Sequence, residues 1–164
     1  MSVALSESVE VARMAAARQC FQGSLPLASM PRLCELLASF DGDVRYDLKF
    51  GKDALGTAIL AVHVEAGLPL VCQRTLETYV QPAVVDQCLG LIADAGQEDA
   101  LPEGCEPVLM VDGRIRLSDV IEDELILAVP LVPLSPGGAP LDYATAPDEI
   151  EPGPFAELEK LRKH

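Results

Sequence analysis

Residues 44–50 read VRYDLKF and residues 57–65 read TAILAVHVE. In the first stretch Val44, Tyr46, Leu48 and Phe50 alternate with Arg45, Asp47 and Lys49. In the second, Leu60, Val62 and Val64 share one side while Ile59, Ala61 and His63 take the other. A period of two marks a strand, whose successive side chains point to opposite faces, and the polar set marks a sheet with one wet face. GKDALG between them is turn chemistry, so the two strands are expected to be antiparallel neighbours.

Further along, AGLP (66–69) reads as a turn, and LVCQR (70–74) and TYVQPAVVDQCLGLIA (78–93) read as extended chain completing a meander. ADAGQEDALPEGCEP (93–107) is an acidic, Gly/Pro-containing loop. PVLMVDGRIRL (107–117) carries a hairpin signal at Asp112-Gly113, because Asp-Gly accepts the positive dihedrals of a tight turn. LSDVIEDELILAVPLVP (117–133) predicts a helix capped by Ser118, with Leu117, Val120, Ile121, Leu125 and Ala128 as its apolar stripe and Pro130 as its stop. Toward the start of the chain, residues 6–19 (SESVEVARMAAARQ) predict a helix with Val9, Ala12 and Ala16 at helical spacing, followed by a short strand ending at Pro26. SMPRLCELLASF (29–40) predicts another, burying Leu33, Leu36, Leu37 and Phe40, and DGD stops it. The expected fold is α+β: an antiparallel sheet of about five to seven strands with packed helices. Residues 1–134 form a single domain in this reading. Residues 135–164 are a flexible Pro/Gly/acid-rich tail ending in a short helix that begins at Pro154, with Phe155, Leu158 and Leu161 on one face.

The 164 residues carry a formal net charge of −14, and the charge is uneven. Residues 94–124 hold ten acids against only Arg114 and Arg116. Such a field repels phosphate backbones and disfavours a free-standing nucleic-acid binder; it favours a basic protein partner, and also serves solubility. No apolar run is long enough for a membrane span, since LILAVPLVPL is short and holds two prolines. The N-terminus, with Glu7, Glu10 and Arg13, lacks a secretory leader, and five unevenly spaced cysteines are expected to be reduced thiols in the cytoplasm.

No constellation for catalysis is visible. His63 and His164 are the two histidines, and His63 falls on the polar side of its strand. Glu122, Asp123 and Glu124 are expected to form a solvated face. Cys72 is followed three residues later by Thr75 where a zinc knuckle would repeat cysteine, so no metal and no cofactor is expected there. Arg74 would favour a Cys72 thiolate if both faced one way, but a buried packing role suits Cys72 better. No small-molecule substrate is expected.

CQR at 72–74, LPEGCEPV, DGRIRLSDVIEDELILAVPLVP and the terminal PGPFAELEKLRK together resemble the bacterial YceD family, across nearly the whole chain and most specifically at 122–133. Many members are similar but carry Cys-x-x-Cys where this chain has Cys72 and Thr75, and further cysteines where it has LSPGGAP. The resemblance implies a process, accumulation of large-subunit ribosomal RNA, and no enzymatic activity. The partner it implies, given the charge, is a basic ribosomal protein or assembly factor, with ribosomal RNA engaged indirectly. Candidate partner-contacting residues are Arg74, Glu122, Asp123, Glu124, Phe155, Leu158 and Leu161. Two rival readings are direct RNA binding through Arg45, Lys49, Arg74, Arg114 and Arg116, and a redox or metal sensor on Cys72.

Overall fold

The alternation over residues 44–65 lies at the centre of the sheet in a computed structural model that describes Leu5 and residues 8–137. Five strands lie in the order β2 (Cys20–Pro26), β3 (Asp43–Lys52), β4 (Ala58–Val71), β5 (Thr78–Ile92) and β6 (Cys105–Leu109). β3 pairs antiparallel with β4, setting Leu48 opposite Val62 and Phe50 opposite Leu60. One face buries Val44, Leu48, Leu60, Val62, Val64 and Leu68, and the helices cover it. The other face stays wet, with Arg45, Lys49 and His63 on it.

The meander differs from expectation at two places. AGLP does not turn: β4 runs straight through it, with Gly67 opposite Pro82, and the reversal comes at residues 72–77. A small residue and a proline in a strand are tolerated here because β4's buried positions, Ala66, Leu68 and Leu70, keep their alternation across them. β6 is parallel to β5, not antiparallel. The acidic segment after Ile92, with a 3-10 turn at Ala95–Ala100, carries the chain back so that Cys105 comes opposite Cys88. These two cysteines are disulfide-bonded, which corrects the expectation of five reduced thiols; Cys20, Cys34 and Cys72 are free. β6 pairs only with residues 88–92, so β5 from Thr78 to Gln87 has no strand on that side.

The remaining strands form a second sheet. β1 (Ser8–Glu10) pairs with β7 (Arg114–Arg116), and Val9 lies opposite Ile115. The predicted first helix is therefore shorter than its sequence pattern: Ser8–Glu10 is extended and only Val11–Ala16 (α1) is helical, burying Val11 and Ala15 instead of Ala12 and Ala16. Cross-strand pairing to β7 supplied a contact that local periodicity could not reveal. Asp112 and Gly113 do take positive φ values, 52° and 71°, in a tight turn, but its flanking pair is the single bridge Val111–Arg114. Among the described residues seven strands are thus divided between two sheets, and the α+β class holds.

α2 spans Pro31–Cys34, far less than residues 29–40, and Leu36 and Phe40 are exposed. α3 is Leu117–Ala128 and buries Leu117, Val120, Ile121 and Leu125 as its stripe. Its N-cap is Arg116, and Ser118 lies inside the first turn with its hydroxyl against Asp119. The predicted tail helix and its Phe155, Leu158 and Leu161 lie outside the described residues.

Candidate functional site

Glu122, Asp123 and Glu124 occupy successive positions on α3, and helical geometry sends them in three directions. Only Asp123 is solvated. Glu122 is 5% exposed and Glu124 8%, so the expected solvated face is corrected. Glu122 reaches across to α2, where the N–H groups of Arg32 and Leu33, in the first turn behind Pro31, have no intrahelical partners. Both donate to Glu122 Oε1, at 2.7 and 3.1 Å. The Arg32 guanidinium donates to Glu122 Oε2 from Nε and Nη2, at 3.0 and 2.9 Å, and to Asp123 from Nη1 at 2.6 Å. A carboxylate ninety residues away in sequence thus caps α2 and fastens it to α3.

Glu124 is placed differently. It lines a hollow of about 330 Å³ with Glu106 of β6 and Asp86 of β5, at the point where β6 stops covering the β5 edge. Val84 and Leu127, both exposed, form its apolar rim. Burial, with Glu106 and Asp123 nearby, holds the Glu124 carboxyl above its usual range. Asp86 bonds His63 on the wet face, and this contact, with Glu65 at 3.5 Å, raises the His63 pKa.

The stretch around Cys72 is a clasp. Cys72 is buried at the β4–β5 reversal, as expected for a packing residue, but it also binds the chain that follows α3. Ser135 donates to its Sγ from the backbone N–H at 3.3 Å and from the hydroxyl at 3.4 Å. Gln73 N–H donates to the Pro133 carbonyl at 2.8 Å, and Arg74 Nη2 to the Ser135 carbonyl at 3.3 Å. Ser135 first, and Thr75 after it, draw the thiol pKa down from 9.0 to about 6. Arg74 therefore faces the departing chain and is half-buried, and hydroxyl donors, not Arg74, favour the thiolate. Ser135, in the chain that follows α3, thus meets Cys72 in space although 63 residues separate them in sequence. With Thr75 and Ser135 standing there, the donor set suits a hydrogen-bonded thiol and does not suit zinc. Among the described residues, no three His, Cys, Asp or Glu side chains group closely enough to hold a metal ion.

The five cations of the RNA-binding reading fall in three places: the wet sheet face, the clasp, and β7, where Arg114 and Arg116 line the same pocket. Arg45 pairs with Glu65 at 2.8 Å and Lys49 with Asp47 at 2.8 Å on the wet sheet face. Arg74 is in the clasp, while Arg114 bonds the Ser8 hydroxyl at 3.0 Å and the Ser8 carbonyl at 2.6 Å. Sequence reasoning placed the acids of α3 among its candidates but missed that Glu122 and Glu124 are buried. It also missed Glu106, Asp86 and Ser135, whose proximity depends on the parallel return of β6 and on the path after α3. Among the described residues no helix is long and apolar enough to cross a membrane.

Fold and site define an α+β protein with a mixed five-stranded sheet, a clasp at the hairpin end, and carboxylates collected where α3 meets the edge of β5. The family described as "Large ribosomal RNA subunit accumulation protein YceD" matches residues 60–162. A curated protein of that same description from Haemophilus influenzae is 30% identical over 170 residues, covering 98% of this chain and 98% of its own. The chain belongs to the YceD family. No solved structure matches it.

Proposed function

We propose that this chain supports the accumulation of large-subunit ribosomal RNA without catalysing a reaction, by holding a basic ribosomal protein or assembly factor in the cytoplasm. The observation that carries this reading is the concentration of acid around α3 and β6. Asp119, Asp123, Glu124 and Glu106 lie on these two neighbouring elements, in the segment that contributes most of the negative charge. A Lys/Arg-rich surface is the complement of such a field, which speeds encounter and excludes RNA itself. The family and its Haemophilus influenzae member supply the process by their description, and the surface supplies the kind of contact. Ribosomal RNA is then affected indirectly, by keeping a basic protein soluble or delivering it.

Affinity capture of the full chain from cells at low salt tests this. Recovery of ribosomal proteins or assembly factors that are lost in high salt is the expected result. Recovery of ribosomal RNA resistant to protease treatment, or of neither class, overturns it.

A further inference from the structure

Cys88 and Cys105 join β5 to β6, and the first half of β6 has little else to hold it. β6 is an edge strand of five residues, parallel to β5, and Pro107 brings no N–H to the ladder. Glu106, Pro107 and Leu109 are exposed. Residues 93–100, which lead toward it, are exposed throughout, and the 3-10 turn among them buries nothing. Two contacts lie on either side of the strand. Leu101 sits over Gly90, in the space a β-carbon would take, and the Met110 N–H donates to the Ile92 carbonyl at 2.9 Å. The Met110 bond fixes the far end of β6, while the near end, at Cys105, depends on the disulfide. Charge works against it there: Glu106 stands close to Glu124, whose carboxyl is pushed up by burial first and by this neighbour second.

The disulfide is also within reach of solvent. Both cysteines are half-buried and stand on the wet sheet face, in one row with Cys20, Lys49 and Ala61 across the five strands. Cys88 lines an open hollow of about 360 Å³ with Lys49 and His63, beside Asp47 and Asp86, so a small thiolate can approach. The chain's own free thiols are badly placed for this. Cys20 is three strands from Cys88 in the row, about 14 Å at ordinary strand spacing. Cys72 is buried at the β4–β5 reversal, and Cys34 belongs to α2 on the covered face. A disulfide that solvent can reach, closing an exposed segment, is of the exchangeable kind; structural ones resist reduction.

We propose that Cys88–Cys105 is a reversible redox latch: oxidised, it pins the Cys105 end of β6 and the acidic return to the sheet, and reduced by a small thiol it lets both peel away. A thiolate entering the hollow attacks the Cys88 sulfur; the S–S bond breaks, and Cys105 leaves with the electron pair and takes a proton from water. A second thiolate attacks the outer sulfur of the mixed disulfide, forming the small-molecule disulfide and freeing Cys88, which is protonated in turn. Two thiols are thereby oxidised and one protein disulfide reduced, and the small-molecule disulfide closes the latch by the reverse steps. Opening changes the surface of the sheet. β5 already has no strand beside it from Thr78 to Gln87, so release of β6 turns almost all of β5 into a free edge. The latch is independent of what binds the acidic surface.

The test uses the full chain without substitution, equilibrated in glutathione buffers of rising reduced-to-oxidised ratio. Alkylation after acid quenching and unfolding counts the thiols, three with the latch closed and five with it open. The bond is expected to open and re-form reversibly between the poise of a cytoplasm and that of a secretory lumen. On opening, hydrogen exchange at the amides of β6 and of residues 88–92 should quicken about a hundredfold, the loop-closure effect for a separation of 17 residues. Residues 44–50 and 60–64, at the centre of the sheet, should keep their rates. The double variant Cys88→Ala, Cys105→Ala should show the fast rates in every buffer, and Cys20→Ser, which keeps the pair, should respond as the parent does. A bond that stays closed in the most reducing buffer, or that does not re-form, overturns the latch. So does exchange that rises equally at 44–50 and 60–64, which marks a staple of the whole fold, or exchange that does not change. Loss of the response in Cys20→Ser would assign the exchange to another pair and overturn it as well.

Discussion

Glu122→Ala removes a carboxylate that fastens α2 to α3, and the cost can be worked from its four contacts. Two are backbone N–H groups, of Arg32 and Leu33, at the start of a four-residue helix that has no other cap. Leaving each without an acceptor costs about 1–3 kcal/mol when buried; the Leu33 bond is buried and the Arg32 backbone bond half-buried, giving roughly 3 kcal/mol for the pair. The other two come from the Arg32 guanidinium, which is 51% exposed and returns to water, adding about 1 kcal/mol at most. Glu122→Gln keeps an oxygen for both N–H groups and should cost about 1 kcal/mol, as should Arg32→Ala, which leaves the cap in place. Urea unfolding read as a midpoint shift at constant slope measures all three. The expected order is Glu122→Ala well above Glu122→Gln and Arg32→Ala. If Arg32→Ala costs as much as Glu122→Ala, the exposed ion pair, not the distant cap, holds α2, and the reasoning is wrong.

Three further outcomes follow from the same structure. Glu124 titrates above its ordinary value in the folded chain, so it stabilises below the unfolded value of about 4.3 and destabilises as pH rises through its folded pKa; Glu124→Gln should raise the melting temperature above that range and leave it unchanged near pH 4, and a pH-independent effect would contradict this. Cys72 titrates at about 6 instead of 9.0, so the thiolate's contribution is complete above the unfolded value and lost as pH falls through about 6; the stability gap between the parent and Cys72→Ala should widen from pH 6 to pH 9, and a flat gap would remove the clasp's charge-assisted character. Reduction of Cys88–Cys105, whose separation in sequence is 17 residues, should cost about 3 kcal/mol of stability and speed proteolysis within 93–104; equal cleavage in both redox states would deny that the bond restrains the acidic segment.

The sheet was legible because β3 and β4 each bury one side only, which imprints a period of two on VRYDLKF and TAILAVHVE. The stripe of α3 was legible for the same reason at a period of 3.6, with Leu117, Val120, Ile121 and Leu125 all found buried. What failed was every feature set by a distant partner. Ser8–Glu10 reads as helix locally and is a strand because β7 lies beside it. Residues 35–40 carry leucines at helical spacing, yet Leu36 and Phe40 meet no other layer, and α2 ends at Cys34. β6 is parallel because a long acidic return precedes it, and loop composition does not report direction. Within the site, EDE reads as solvent-facing because charge is usually exposed; burial of Glu122 depends on α2 offering two free N–H groups, and burial of Glu124 on the sheet edge behind it. Cys72 was placed correctly in the interior, but its contact with Ser135 joins residues 63 apart and leaves no local trace.

In the proposed function a basic protein meets the acidic edge of α3 and β5. A photo-crosslinking residue at position 127, in place of Leu127, which is 73% exposed at the rim of the hollow, reports that contact in living cells. Crosslinks to a Lys/Arg-rich ribosomal protein or assembly factor, lost on Glu124→Gln, are the predicted result. Crosslinks to ribosomal RNA alone, or none while the same residue placed on the wet sheet face at position 80 captures a protein, would contradict it.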